Sequence, residues 1–464
     1  MYFDTMLFLY LLLPFLNSVS FRFPYFRDPP SPFQKINPFS NLNGFYGLIG
    51  GEKGNKISLS GDGIIQGVFI ENGKVCKTVR NKVRTDRVQF IKDYPFMEKY
   101  INSNLFLVLI SIGKFLNIVD KDINFEGRAN TGLFSWEEEN VILALHERDR
   151  PYVIQIDFNN KIILNLGKIT NYNKKVHSIV SAHPSYNKMK KQIISVEYDL
   201  FGDSTISIYN STDFSPIMRE CIQTKYISII HDFISSYDNI YIPDCPLEFD
   251  LYKLVHTDSP IPMSFFKNKP SRIGIWNKNT QKTNWITFSS SFFLFHFVNV
   301  YEFNNNITYI DVCLFEDIDM ENLNKNLPKL CRLIIDNKQN SGRIEYPNEL
   351  SNIYTDFPTQ LPDYNVCLLK LDVNSDKSQI WSRGFVIVDH NLKLHTNFTL
   401  PGIDSYFCGQ LSFCEKTNSI LGFCVISGES NLFLYDIQNG FHEFQKLENY
   451  TLENGFHSIF YKKN

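Results

Sequence analysis

Short apolar runs, rather than long amphipathic helices, make up most of the hydrophobic pattern of this chain. Many are rich in β-branched and aromatic residues, and clusters of Asn, Asp, Gly or Lys separate them about every ten residues, as is typical of strands. Asn-Gly pairs at 72–73 and 439–440 indicate hairpin turns. The pattern therefore predicts an all-β fold. The clearest predicted strands are Gly67–Ile70, Tyr152–Ile156, Gln192–Val196, Ser204–Tyr209 and Asn431–Tyr435.

The first 43 residues do not share this pattern. An apolar run at 6–16 is followed by small residues, which predicts a signal peptide or leader over residues 1–20, although its start carries no Lys or Arg. Residues 21–43 are rich in Pro and aromatic residues and predict an N-terminal arm ahead of one large domain over 44–464. Because a signal peptide can also begin a plastid leader, the secretory pathway, a plastid and the cytoplasm all remain open as destinations.

Composition narrows the class of protein. The chain has 464 residues, 43% of them hydrophobic and 20% charged, with a net charge of −3, which indicates a globular protein with a large core and no basic nucleic-acid surface. Its nine cysteines contain no CxxC pair, and their odd number favours buried free thiols over a disulfide framework. The 41 Phe and 24 Tyr residues suit either strand packing or a tunnel for a long conjugated polyene.

Four histidines are the candidate chemical centre. Imidazole is the commonest side-chain ligand of catalytic transition metals, and four neutral imidazoles leave two octahedral positions of a ferrous ion free. The intervals between these residues are 48, 65 and 161 positions (231−183, 296−231 and 457−296), so only a closed fold with converging strands would bring them together. The four candidates are His183, His231, His296 and His457.

The short motifs around these histidines resemble those of the carotenoid cleavage oxygenases, a family that includes the retinoid isomerohydrolase. Each histidine lies in a motif of this kind, and other segments resemble family motifs in the same order from about Gly44 to the C-terminus. The histidine motifs are AHP (182–184), HDF (231–233), FHFVNVYE (295–302) and GFHSIF (455–460); the others are LSGDGII (59–65), NKVRT (81–85), ANT (129–131) and LALHERDRPY (143–152).

The resemblance implies a specific architecture and cofactor. It implies a seven-bladed β-propeller with a metal centre on its axis and a cap of helices and loops over a substrate tunnel. One Fe²⁺ per chain would be held by the four histidines, and the partners would be O₂ and a carotenoid or apocarotenoid. The apolar stretch at 105–112 falls where family members carry a membrane-docking patch, which implies peripheral membrane contact.

Three further residues are implied as partners of the ligands. Family members use three glutamates to orient their histidines, and this chain departs from that pattern at two of them. Glu147 matches the first and would pair with His231, whereas Asp356 of DFP (356–358) occupies the second position, beside His296. Gln410 of GQLSFC (409–414) occupies the third, opposite His457, so Gln410→Glu is expected to tighten iron retention or raise turnover.

The predicted function is iron(II)-dependent oxidative cleavage of a C=C bond in a carotenoid or apocarotenoid, with a stilbene-type substrate also open. Three alternatives are kept. The first is retinoid isomerohydrolase chemistry, which uses the same iron without consuming O₂, although the PDPCK motif of that branch is absent. The second is a carotenoid-binding propeller weakened by the changes at Asp356 and Gln410. The third is an extracellular interaction propeller with coincidental histidine motifs.

Overall fold

The structure, a computed structural model, is built mainly of antiparallel strands. It describes residues 37–52, 61–101, 127–136, 140–169, 179–198, 203–256, 262–303, 306–373 and 380–463, together with single positions between 101 and 127. Among the described residues the longest helix has eight residues, so the prediction of a strand-rich fold with few helices is confirmed. The helices are α1 (Asp86–Asp93), α2 (Glu98–Ile101) and α3 (Leu251–His256), with 3₁₀ turns at Pro95–Met97, Leu323–Lys325, Asn348–Leu350, Pro362–Tyr364 and Glu415–Thr417.

Thirty-one strands follow one another along the described chain. In chain order they are β1 (Gly44–Gly51), β2 (Gly63–Glu71), β3 (Lys74–Lys82), β4 (Gly132–Ser135), β5 (Val141–Leu145), β6 (Tyr152–Asp157), β7 (Ile162–Lys168), β8 (Ser185–Asn187), β9 (Gln192–Tyr198), β10 (Asp203–Asn210), β11 (Pro216–Gln223), β12 (Ile234–Ser235), β13 (Asn239–Asp244), β14 (Leu247–Phe249), β15 (Met263–Phe265), β16 (Arg272–Asn277), β17 (Lys282–Thr287), β18 (Phe293–Phe303), β19 (Ile307–Phe315), β20 (Lys329–Asp336), β21 (Ser341–Glu345), β22 (Tyr354–Gln360), β23 (Val366–Val373), β24 (Ile380–Val388), β25 (Leu394–Thr399), β26 (Tyr406–Phe407), β27 (Ser412–Cys414), β28 (Ser419–Ile426), β29 (Glu429–Asp436), β30 (His442–Lys446) and β31 (Ser458–Lys462).

The strands form sheets of chain neighbours. The four-stranded sheets have the orders β31-β1-β2-β3, β4-β5-β6-β7, β8-β9-β10-β11, β12-β13-β16-β17 and β18-β19-β20-β21, and β14-β15 is a separate hairpin. A larger sheet joins β22-β23-β24 to β28-β29-β30 through β26, with β25 on β24 and β27 on β28. Because β31 pairs with β1, the end of the described chain closes onto its beginning.

In each four-stranded sheet the strand named first above lies at the sheet edge, and β12, β18 and β31 of these, together with β22 and β27 of the larger sheet, contact another such edge strand. These contacts run from β12 to β18, from β18 to β22, from β22 to β27, from β27 to β31 and from β31 to β4. The edge strands therefore lie side by side, although their positions in the sequence are far apart. This arrangement decides which residues meet at the site described below.

The predicted strands and hairpin turns are confirmed. Each of the five predicted runs lies within β2, β6, β9, β10 or β29. Asn72 and Gly73 connect β2 to β3 with φ of 50° and 75°, a left-handed pair that suits a two-residue hairpin turn. Residues 437–441 likewise connect β29 to β30, with Gly440 at φ 73°.

The core consists of apolar clusters between neighbouring sheets. Trp276 on β16 is fully buried and packs with Ile206, Ile240 and Phe233. All nine cysteines are free thiols and seven of them are buried, in agreement with the expectation from their number and spacing. The apolar faces of the strands thus account for most of the hydrophobic residues of the described chain.

Replacing Trp276 by alanine is expected to lower the free energy of unfolding by about 3–5 kcal/mol, because the change removes a large buried ring and leaves a cavity. Chemical denaturation of the two proteins measures the difference. Trp381→Ala is the matched control, since this ring is only half-buried at the start of β24, and its cost is expected to be smaller. Equal costs for both substitutions would contradict this account of the core.

The N-terminal predictions fall mostly outside the described residues. Residues 1–20 and 21–36 are not described, whereas Phe39 and Leu42, at the end of the predicted arm, are fully buried against the core. Only 106, 109 and 110 are described within the predicted membrane patch at 105–112. No helix among the described residues has the length and hydropathy needed to cross a bilayer.

Candidate metal centre

Each of the four histidines lies at or next to a different edge strand. His183 and His231 precede β8 and β12 by two and three residues, His296 lies within β18, and His457 immediately precedes β31. Because these strands lie at the facing edges of separate sheets, residues as far apart as 183 and 457 reach one point.

The imidazole rings meet through their Nε2 atoms. Nε2 of His183 is 3.1 Å from Nε2 of His231, and Nε2 of His296 is 3.3 Å from Nε2 of His457. One nitrogen of each of the four rings lies within 4.8 Å of the others. The rings of His183 and His457 are the closest, with centroids 4.2 Å apart in an edge-to-face arrangement.

These distances fit one shared metal ion. Imidazole nitrogens bind first-row metals at about 2.0–2.1 Å, so two ligands at right angles on one ion have nitrogens about 3 Å apart. The two Nε2–Nε2 distances of 3.1 and 3.3 Å are close to this value. The donor set is composed of imidazoles alone, which suits a transition metal.

Burial keeps two of the imidazoles, those of His183 and His457, in the form that binds metal. Removal from water lowers the pKa of His183 and of His457 well below its ordinary value, and the neighbouring imidazoles add to the effect. A protonated imidazole has no lone pair for a metal, so a lowered pKa favours ligation. His296 and His457 are each about 95% buried.

Glu147 orients His231. One carboxylate oxygen, Oε1, lies 2.6 Å from Nδ1 of His231, and Oε2 accepts a hydrogen bond from the hydroxyl of Thr131 at 3.4 Å. Burial opposes ionisation of Glu147, but the hydrogen bond and the charge interaction with His231 outweigh it and hold the pKa of this carboxyl well below its usual range. A carboxylate at Nδ1 keeps the proton there and leaves Nε2 free for a metal.

Asp356 does the same for His296. Its Oδ1 lies 2.6 Å from Nδ1 of His296 and also accepts the backbone N–H of Phe357 at 2.9 Å. β22 has a bulge between Asp356 and Thr359, and Phe357 takes a left-handed φ of 55° there. Asp356 therefore reaches His296 from a strand whose register shifts directly after it.

Gln410 is the third side chain that contacts a histidine of the centre, and unlike Glu147 and Asp356 it is neutral. Its Oε1 lies 3.0 Å from Nδ1 of His457, and its Nε2 donates to the carbonyl oxygen of Pro358 at 2.6 Å. All three residues that the sequence assigned as partners of the ligands thus lie within hydrogen-bonding distance of a histidine, and each contact is made to Nδ1.

Sequence reasoning missed two residues at this centre. Asp232, partly buried next to His231, accepts the backbone N–H groups of Phe233 at 2.7 Å and Phe297 at 2.8 Å, so it joins the His231 segment to β18. Burial raises the pKa of Asp232 to about 7. Phe357 packs its ring at 5.2 Å from that of His296 and at 5.5 Å from that of His457. Asp232 lies in the motif HDF and Phe357 in the motif DFP, so these two motifs were the sequence features that could have identified them.

The surroundings of the centre are mixed in character. A cavity of about 250 Å³ borders His183 and is lined by apolar side chains such as Leu133, Phe233 and Phe297, together with Asp232 and Gln360. Phe295 adds a further ring, 5.2 Å from that of His231. Small molecules therefore have room beside the histidines within the described part of the chain.

The remaining histidines are not part of this cluster. His256, His390, His395 and His442 are exposed, as expected for surface residues, and His177 lies outside the described residues. His146 differs, because it is mostly buried and its Nε2 lies 3.9 Å from Oε2 of Glu147.

Comparison with known families and proteins gives consistent matches. The family model described as retinal pigment epithelial membrane protein (RPE65) matches residues 41–367. Carotenoid 9,10(9',10')-cleavage dioxygenase 1 of Arabidopsis thaliana is 26% identical over 327 residues, which are 66% of this chain and 59% of that protein. The chloroplastic 9-cis-epoxycarotenoid dioxygenase NCED6 of the same plant is 24% identical over 254 residues, 52% and 43% of the two chains. The matches thus span only about half of the length of these relatives.

Solved structures share the fold. The lignostilbene dioxygenase of Pseudomonas brassicacearum superposes with a TM-score of 0.72 at 16% identity, covering 91% of this chain and 93% of the other. The cobalt-substituted apocarotenoid oxygenase of Synechocystis superposes with a TM-score of 0.67 at 16% identity, covering 92% and 94%. At this identity the likeness concerns the fold.

Proposed function

This chain belongs to the RPE65 and carotenoid cleavage oxygenase family, and from that membership we propose that it is an iron(II)-dependent dioxygenase that cleaves a C=C bond of a carotenoid or apocarotenoid. The observation that carries the proposal is the convergence of His183, His231, His296 and His457 on one point. Three of these imidazoles have Nδ1 hydrogen-bonded, which leaves their Nε2 atoms directed at the common centre.

The four histidines would hold one Fe²⁺. Bound ferrous iron supplies the ability to react with O₂, which no amino-acid side chain has by itself. The protein's own contribution is positional, because Glu147, Asp356 and Gln410 keep the ligand protons on Nδ1. In this proposal no side chain acts as an acid or base.

We further propose that the sheets form a seven-bladed propeller with this centre on its axis. The support is the set of edge-strand contacts from β12 to β4, which relates most of the sheets side by side. The joined sheet would then supply two blades, β22–β25 and β27–β30, linked by β26. Radial repetition is a physically economical way to bring four distant histidines to one point.

The substrate class is proposed from the relatives and the aromatic residues at the centre. Phe295 and Phe357 lie beside the histidine rings and offer apolar faces to a conjugated chain. Asp356 and Gln410 both contact their histidines, His296 and His457. These contacts favour an active enzyme over the alternative of a carotenoid-binding propeller with a weakened metal site. Membrane contact through 105–112 and a leader to a plastid or the secretory pathway remain predictions.

The experiment that tests this function combines metal analysis with an oxygen-dependent assay. Purified protein is reconstituted anaerobically with ferrous iron, its metal content is measured, and β-carotene, an apocarotenal and a stilbene are supplied before and after admission of air. The expected result is retained iron and aldehyde products that appear only in air and are lost after chelation. Retained iron without any product from these substrates, or no iron retention, would contradict the proposed activity.

A further inference from the structure

Gln410 forms a bridge between a histidine ligand and a backbone carbonyl. Its Oε1 lies 3.0 Å from Nδ1 of His457, and its Nε2 donates to the Pro358 carbonyl at 2.6 Å. The backbone of Gln410 is held as well, because its N–H donates to the Phe456 carbonyl at 2.9 Å and its own carbonyl accepts the hydroxyl of Tyr46 at 3.2 Å. The side chain therefore has little freedom to find other partners.

The two neighbours of this amide independently require the same orientation. The Pro358 carbonyl can only accept a hydrogen bond, so the group that faces it must be a donor. His457 directs Nε2 at the other histidines, 3.3 Å from that of His296, so its proton resides on Nδ1 and the group facing Nδ1 must be an acceptor. A primary amide offers one acceptor and one donor, whereas an ionised carboxylate offers acceptors only.

The bulge in β22 supplies this carbonyl. Phe357 holds a φ of 55°, which is uncommon for a bulky residue, and the ladder between β22 and β23 shifts register there. The same segment contacts the Gln410 region a second time, because the hydroxyl of Thr359 donates to the Leu411 carbonyl at 2.6 Å. Strained backbone of this kind persists where the surrounding structure determines it, and it commonly marks functional sites.

We propose that Gln410 is a positioning residue whose neutral amide is required, and that residues 356–358 orient His296 through Asp356 and His457 through the Pro358 carbonyl and Gln410. This inference rests on the metal centre of the proposed function. It reverses the expectation from family resemblance that an acid at position 410 would improve the site. A glutamate there would place a carboxylate oxygen against the Pro358 carbonyl, with two acceptors facing each other and no proton between them.

The experiment compares metal retention in Gln410→Glu and wild-type protein. Both are loaded with Co²⁺, challenged with a chelator, and followed by metal content and by the visible Co²⁺ spectrum, which reports ligand geometry independently of activity. We expect Gln410→Glu to retain metal about tenfold less well or worse, in the range found when the partner of a metal-bound histidine is lost. Unchanged or tighter retention in Gln410→Glu would overturn the proposal.

Gln445→Glu is the matched control. The Gln445 amide also accepts from a backbone N–H, that of Val75 at 3.0 Å, and donates to a backbone carbonyl, that of Gly73 at 2.6 Å, but its partners are on the β2–β3 hairpin. It should show a comparable change in thermal unfolding with wild-type metal retention. A loss of metal in Gln445→Glu equal to that in Gln410→Glu would mean that general destabilisation is responsible, which overturns the proposal.

If Gln410→Glu does not fold, Gln410→Met is used to test metal retention in its place. It removes both hydrogen bonds without adding a charge, so reduced metal retention is again expected, and unchanged retention would overturn the bridging role. The wild-type protein separates the two proposals. If the wild-type protein retains no Co²⁺, the proposed metal centre is wrong and the role of Gln410 is wrong with it. If the wild-type protein retains Co²⁺ and Gln410→Glu retains it more tightly, only the inference about Gln410 is wrong.

Discussion

His231→Ala is expected to abolish metal binding and oxidative cleavage while the fold is retained. The substitution removes one of four imidazoles whose nitrogens lie within 4.8 Å of each other. A water molecule would not be held by the protein in the position that this imidazole nitrogen occupies. The loss of metal affinity should exceed the roughly 10- to 100-fold found for residues that only support a ligand. Chelator competition measures the affinity, and circular dichroism measures the fold.

The substitution also has a predictable effect on stability that must be separated from metal loss. Glu147 loses the hydrogen-bond donor that lay 2.6 Å from it and becomes a mostly buried carboxylate with one partner fewer, which is costly. The double variant His231→Ala/Glu147→Gln removes that charge, so its stability should recover towards wild type while metal binding stays lost. His395→Ala, at an exposed position, should change neither property. Full activity in His231→Ala would refute the four-histidine centre.

Asp356→Leu is expected to lower metal affinity by about 10- to 100-fold. The carboxylate accepts from both Nδ1 of His296 and the N–H of Phe357, so leucine leaves two buried donors unsatisfied and frees the ring to rotate. Calorimetric titration with Co²⁺ measures the affinity, and turnover should fall with it. Wild-type affinity in this variant would show that the contact does not orient the ligand.

Two companion variants test why an aspartate stands at this position. Asp356→Asn preserves an acceptor for His296 but removes the charge, so it should weaken metal binding less than Asp356→Leu. Asp356→Glu restores the longer acid typical of the family, yet the 2.6 Å contact already fills the space and the side chain is buried, so the added methylene should weaken binding. Tighter binding in Asp356→Glu would mean that the bulge is not adapted to the shorter acid.

Local patterns in the sequence were sufficient for the strands and the candidate residues. β-branched and aromatic runs predicted strands such as β2 and β29, and Asn-Gly pairs predicted the hairpins that follow these two strands, because both signals depend on neighbours in the chain. The motifs around His183, His231, His296 and His457 indicated the candidate metal centre, and family resemblance predicted Glu147, Asp356 and Gln410 as the partners of these histidines.

The sequence did not predict what joins these residues. Nothing in the pattern around Phe357 indicates a left-handed residue inside a strand, since the bulge depends on the register between β22 and β23. Asp232 was read only as part of a motif, although it ties the His231 segment to β18 through the N–H of Phe297. Gln410 was expected to be a weakened, neutral partner of His457 in place of an acid, and only its contact with the Pro358 carbonyl reveals why an amide suits the position.

By itself, the sequence determined the class of fold and the four candidate imidazoles, because strand propensity and residue chemistry are local properties, while the three side chains beside them were implied by the resemblance of short motifs to those of the family. The tertiary structure decided that residues 183 and 457 meet, that an aspartate reaches His296 and that an amide orients His457. Those outcomes depend on how separate sheets place their edge strands and on one bulge in β22. Both are long-range arrangements of the backbone, which no short segment of the chain encodes.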